Sequence, residues 1–195
     1  MLPSRLTALL PVLRSLSDAL ACGEFSWCSA NPMGLNPGAK AALAKTCPMT
    51  LATDPGFFRL LTESYARLLR ERLTLAGADA AWLYRDAPFA VLAHSTEDDP
   101  KFIYANRAAQ LCFDYTWDEF MSLPSRLSAE APEQAERQAL LDEVSRHGFM
   151  TGYRGVRVAK SGRRFIIEDG IVWELRDRDG KRHGQAATFT SWRNL

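Results

Sequence analysis

The sequence predicts an α+β domain in which a five-stranded antiparallel sheet carries short helices on one face and is preceded by an amphipathic helix. Three observations lead there. Apolar residues recur at helical spacing as far as Gly148, and beyond it the spacing falls to two. The three extended runs after Gly148 are joined by tight turns rich in Gly and charge, which makes them a meander. Two shorter apolar runs stand earlier in the chain, separated by a polar turn, and read as a hairpin.

Taken in order, Asp54 is placed to cap a helix whose first residue is Pro55. Phe57, Phe58, Leu61, Tyr65, Leu68, Leu69 and Leu73 then share one stripe, and Gly77 ends the helix, which spans 54–76. Phe89 to His94 and Phe102 to Tyr104 form the hairpin around the turn Ser95 to Lys101. Asn106 stands where a cap belongs, ahead of a helix from Arg107 to Phe113. Thr116-Trp117-Asp118-Glu119 is a capping box opening another short helix, which Pro124 closes. From Pro132 a fourth helix runs to His147, with Leu140, Leu141 and Val144 on its buried side and Gly148 at its C-cap. The meander strands are Tyr153 to Ala159, Arg164 to Arg176 and His183 to Trp192.

Composition sets outer bounds. The chain has 195 residues, 47% of them hydrophobic, and a formal charge of +1, so it can bury a core and has no net field to draw it to nucleic acid or an anionic membrane. The longest nearly apolar stretch, Leu6 to Leu20, is broken by Pro11, Arg14 and Asp18 and is shorter than the ~20 residues that span a bilayer. Cys22, Cys28, Cys47 and Cys112 form no Cys-x-x-Cys pair, so reduced thiols and a cytoplasmic location are expected rather than a metal site or a disulfide framework. Residues 1–52 differ from the rest in being poor in acid and rich in Leu. They are expected to be an N-terminal extension, either disordered or upstream of a true start at Met49, with the domain itself at 53–195 and its core at 80–192. G-x-S-x-G, H-E-x-x-H, P-loop and G-x-G-x-x-G patterns are not found, and no enzyme activity is expected. Arg163, Arg164, Arg176, Arg178, Lys181 and Arg182 crowd the meander turns, but acidic residues interleave with them, as on a solvated mixed-charge surface.

The order of two strands, several short helices and three long strands resembles the PAS sensor fold. Tyr104-Ala105-Asn106-Arg107-Ala108-Ala109, followed by Phe113-Asp114-Tyr115-Thr116-Trp117-Asp118-Glu119-Phe120, is similar to the PAS segment in which Asn caps one helix and Tyr-Thr-x-x-Glu opens the next. A closer resemblance, covering roughly Phe57 to Trp192, is to the MEKHLA family. These PAS-related domains occur in bacteria, in green algae and at the C-terminus of plant class III homeodomain leucine-zipper proteins. It is carried by Leu92-Ala93-His94-Ser95-Thr96-Glu97 with Asp99-Pro100, and by Leu123-Pro124-Ser125-Arg126 with Ser128-Ala129-Glu130. Tyr153-Arg154-Gly155-Val156-Arg157, Ser161-Gly162-Arg163-Arg164-Phe165, Val172-Trp173 and Gly184-Gln185-Ala186-Ala187 continue it. The sequence carries no homeodomain, zipper, kinase or cyclase pattern, so it resembles a bacterial stand-alone member, and the DNA-binding role of the plant proteins does not transfer.

The resemblance implies a sensory or protein-interaction domain, with a ligand pocket between sheet and helices. His94, Tyr104, Asn106, Arg126, Tyr153, Trp173 and Gln185 are the pocket candidates. Each also has an ordinary structural role open to it: Asn106 as a helix cap, Trp173 and Tyr153 as sheet core, Arg126 in a salt bridge. A second reading takes the module as a binding protein or enzyme using the same pocket, with Arg126 as anion anchor and His94 as proton-transfer group. The cofactor is left unknown. Light-sensing relatives resemble the chain at Gln185, but no Cys stands between Leu123 and Ser128, which argues against flavin-adduct chemistry; His147 at a helix end argues against haem. The long stripe of the leading helix predicts a homodimer through Asp54 to Leu75, beside a protein partner that the residues do not identify.

Overall fold

The structure is a computed structural model and describes residues 48–195. The expected features of the extension, including the first three thiols, lie outside the described residues up to Cys47. The described chain opens with a 3-10 turn, Pro48–Thr53, and continues into α1 (Pro55–Leu69), α2 (Ala80–Arg85), β1 (Ala90–His94) and β2 (Phe102–Ala105). Next come α3 (Arg107–Phe113), α4 (Trp117–Ser122), a second 3-10 turn at Ser125–Ser128, and α5 (Ala131–His147). The chain ends with β3 (Phe149–Val158), β4 (Arg164–Arg176), β5 (Arg182–Phe189) and β6 (Ser191–Asn194).

The helix starts follow from local hydrogen bonds. Asp54 accepts from the Phe57 N–H at 2.6 Å, Asp79 from Trp82 at 2.8 Å, and Asn106 from Ala109 at 3.1 Å. The Thr116 N–H donates to Glu119 at 2.9 Å, completing the capping box. Gly148, at φ +90°, closes α5.

The strands lie in the order β2-β1-β5-β4-β3, every neighbour antiparallel. The third meander strand is divided in two. Ile171 opposite Thr188 in β5 and Glu168 opposite Ser191 in β6 keep one register, so β6 continues β5 along the same edge of β4. The break faces Asp169, a bulge residue at φ +56°. That bulge also changes which residues share a face. Phe165 and Ile167 before it, and Val172 after it, belong to the same core cluster although they differ in parity.

Helices cover both faces rather than one. Phe102, Phe113, Phe120, Val144 and Val172 form the core between the sheet and α3 to α5. On the opposite face, Val91, Ala93, Tyr104, Trp173 and Leu175 pack with Phe57, Leu61 and Tyr65 of α1 and with Leu83 and Tyr84 of α2. The leading helix is therefore part of the body. Its three buried apolar side chains contribute about 2 kcal/mol each to this packing, and the Trp173 Nε1–H donates to Ser64 Oγ at 3.1 Å. This removes the motive for a homodimer through Asp54 to Leu75, because the apolar stripe is already covered within the chain.

Two boundaries also differ from expectation. The first helix ends at Leu69 with Arg70 in the left-handed conformation, although Arg, Glu and Leu would prolong a free helix. Tertiary contacts decide it: the Arg67 guanidinium donates to the backbone carbonyls of Arg176 and Asp177, tying the last turn of α1 to the β4–β5 turn. Leu73 then turns inward outside any helix. Ala52, left in the extension by the sequence reading, is 2% exposed within the core, so the body begins before Thr53.

Candidate functional site

A cavity of about 70 Å³ lies between the sheet and α5. Its floor is one face of four adjacent strands, and its roof is Leu140, Leu141 and Val144. The lining is mainly apolar, with His94, Gln185, Tyr153, Arg157 and Ser128 as the polar exceptions.

Strand register brings the first of these together. His94 on β1 stands directly opposite Gln185 on β5, which stands opposite Glu174 on β4, so three polar side chains form a row across the sheet. The His94 Nδ1 is 2.9 Å from the Ser95 carbonyl, which can only accept, so the proton sits on Nδ1. Gln185 is 1% exposed. Its Nε2 donates to the Leu141 carbonyl at 2.9 Å and to Ser145 Oγ at 3.0 Å, binding it to the later turns of α5. The carbonyl partner fixes the amide orientation, and Oε1 accepts no hydrogen bond among the described residues.

Glu174 closes the row. Its side chain is fully buried, and its oxygens lie 2.6 Å from Arg176 and 2.9 Å from Arg182, two half-exposed guanidinium groups that offset the cost of burying the charge. Arg182 also donates to Ser145 Oγ at 3.1 Å, so the charge pair and the Gln185 amide meet on one hydroxyl.

The far wall is the edge strand β3. Tyr153 and Arg157 share a face, and the Arg157 guanidinium lies 5.2 Å from the Tyr153 ring centre while Nη2 donates to its hydroxyl and Nη1 to the Val156 carbonyl. Gly155 makes the seat for this pair, since a Cβ there would stand 2.0 Å from the Tyr153 hydroxyl.

Three of the seven sequence candidates, His94, Tyr153 and Gln185, line the cavity; four do not. Tyr104 and Trp173 belong to the opposite face, under α1, where burial pushes the Tyr104 phenol far above its usual range. Asn106 is wholly committed to structure. Its Oδ1 accepts from Val91 and Ala109, and its Nδ2 donates to the Leu83 and Phe89 carbonyls. Arg126 is a surface residue in a two-point pair with Asp99, at 3.0 and 3.3 Å. It therefore does not meet His94 in one site. Arg157, Ser145 and Glu174 are not among the pocket candidates that the sequence offered. Arg157 and Glu174 left a signal, each being a charge at a strand position whose neighbours are apolar.

At about 70 Å³ the cavity is several times smaller than the ~300 Å³ or more of pockets that hold drug-sized ligands. His147 is exposed, 2.8 Å from Glu143, and Cys112 is buried in α3 off the cavity wall. Among the described residues no group of His, Cys, Asp and Glu is placed to hold a metal, and no helix is long and apolar enough to cross a membrane.

No curated protein matches the chain. Among solved structures it is similar to a PAS domain of a Colwellia psychrerythraea protein, at 13% identity and TM-score 0.50, covering 59% of this chain and 92% of that one. A PAS domain from a two-component sensor histidine kinase matches at 19% identity and TM-score 0.45, covering 56% and 87%. The Rhodobacter sphaeroides LOV protein matches at 11% identity and TM-score 0.48, covering 58% and 62%. At these identities the likeness concerns the fold. The family model described as the MEKHLA domain matches residues 56–194. With that match spanning most of the chain and its strands and helices arranged in PAS fashion, the chain belongs to the MEKHLA domain family.

Proposed function

We propose that this chain is a non-catalytic sensory module that holds a small ligand between its sheet and α5 and passes the result to a protein partner. The observation that carries the reading is Gln185. A buried carbonyl oxygen left without a hydrogen bond costs about 1–3 kcal/mol, and here it belongs to a side chain lining a cavity. A ligand that donates to Oε1 recovers that cost. The other end of the same amide grips the Leu141 carbonyl and Ser145, so occupancy bears on the later turns of α5. A catalytic reading has less support, because the pair proposed for it, His94 and Arg126, is divided between cavity and surface.

The test is native mass spectrometry of freshly purified full-length protein, joined to thermal melts against a panel of small polar metabolites. Some compound is expected to raise the melting temperature of the wild type and to leave unchanged that of Ala187→Leu, whose larger side chain fills the cavity. A mass equal to the bare chain, with no stabilising compound in the panel, overturns ligand sensing.

A further inference from the structure

Gln185 lines the cavity at 1% exposure, and its Oε1 accepts no hydrogen bond among the described residues. Other polar groups of the lining are engaged with the protein itself. Ser128 Oγ donates to the Ser125 carbonyl at 2.7 Å, His94 Nδ1 to the Ser95 carbonyl at 2.9 Å, and the Arg157 guanidinium to the Val156 carbonyl and the Tyr153 hydroxyl. The wall therefore asks a ligand for one donor, while a ligand acceptor would have to compete with bonds already made. Leu92, Phe102, Leu140, Val144 and Val172 contribute to a lining that is otherwise mainly apolar, which favours an apolar body and penalises a net charge. At about 70 Å³ the cavity is roughly half the size of the ~150 Å³ apolar cavity that takes up benzene, which leaves space for about three to five non-hydrogen atoms. An amine of that size is charged at neutral pH, and an amide brings a carbonyl for which no donor is set aside. Resting on the sensory reading, we infer that the ligand is a small neutral alcohol with an apolar body, of the size of propan-2-ol, its hydroxyl donating to Gln185 Oε1.

The experiment titrates ¹⁵N-labelled full-length protein with propan-2-ol, acetone and sodium acetate, three compounds of matched size, following the Gln185 side-chain NH₂ and the backbone amides of His94, Val144 and Ala187. Propan-2-ol is expected to shift these signals saturably, with affinity on the order of millimolar. Acetone, which keeps the carbon skeleton and lacks the O–H, and acetate, which adds the charge, are expected to bind about tenfold more weakly. Gln185→Met removes the acceptor, so in that variant propan-2-ol is expected to lose its advantage over acetone. Should the variant fail to fold, the comparison of the three compounds on the wild type decides by itself. Equal binding of acetone or acetate to the wild type overturns the alcohol assignment and leaves the ligand cavity standing. If none of the three moves the cavity signals but another compound of the thermal panel does, the alcohol is again wrong; if nothing does, the sensory reading falls with it.

Discussion

Replacing Asn106 by Ala should be among the most damaging single changes in this protein. The side chain is fully buried and joins three segments: Val91 on β1 and Ala109 on α3 donate to its Oδ1 at 2.9 and 3.1 Å, while its Nδ2 donates to Leu83 at the end of α2 and to Phe89 at 3.2 and 2.8 Å. Losing the cap costs about 1 kcal/mol. The Val91 N–H and the Leu83 and Phe89 carbonyls are then left open, at about 1 kcal/mol or more each. The sum is about 4 kcal/mol, a large share of the ~5–15 kcal/mol that holds a domain together. With a shift of about 2–4 °C per kcal/mol for a body of this size, Asn106→Ala should melt roughly 8–16 °C below the wild type. Asn106→Ser keeps an acceptor for the Ala109 N–H and should recover about 1 kcal/mol. Urea unfolding followed by circular dichroism measures both. A loss under about 1 kcal/mol for the Ala variant would show that β1, α2 and α3 are held by packing alone and would refute the reasoning.

Four other outcomes are expected. Leu61→Asp places a charge in the α1–sheet core, where Leu61 has no exposure, and should destabilise by more than about 3 kcal/mol; a folded variant that differs only in self-association would instead support the helix as a dimer seam. Gly184→Ala should prevent normal folding, because a Cβ would stand 1.9 Å from the His94 carbonyl oxygen, whereas Gly180→Ala, at φ +82° with open space around it, should cost only about 1 kcal/mol in urea unfolding. Glu119 is held down to about 2 by its hydrogen bond from Lys160 and then by Thr116. Its folded value lies below the unfolded ~4.3, so its contribution is present above that range and is lost as pH falls toward the folded value. In NMR titration Lys160→Met should move the Glu119 midpoint upward, and an unmoved midpoint would discard that ion pair. Burial pushes the Cys112 thiol up to about 12, so iodoacetamide at neutral pH should leave the Cys112 peptide unmodified until denaturant is added.

Much of the fold was legible because its signals are local. A cap such as Asp54, Asn106 or Thr116 acts on an N–H three residues away, and Gly148 ends a helix by its own φ. The change from helical to alternating spacing after Gly148 likewise belongs to consecutive residues. The helix from Asp54 was overextended because nothing local stops it: the Arg67 contact with the β4–β5 turn lies more than a hundred residues away in the chain. Of the site, His94, Tyr153 and Gln185 were legible as polar residues on strands, while Tyr104 and Trp173 carried the same signal and lie on the other face. Alternation says that neighbours in a strand oppose each other, but it does not say which face is which. The bulge at Asp169 reverses the count midway along β4. Arg126 has no acidic residue nearer in sequence than Glu130, and Asp99 reaches it only through the fold.

By itself, then, the chain's order of residues determined its element types, most of their caps and the meander, since backbone hydrogen bonding and side-chain period act over a few residues. Only the tertiary structure decided that α1 seals the second face of the sheet, that His94, Gln185 and Glu174 stand in one row, and that a small cavity forms beside them. Those outcomes depend on strand register and on contacts between distant segments, where a shift of one residue exchanges the two faces and no neighbouring residue records the choice.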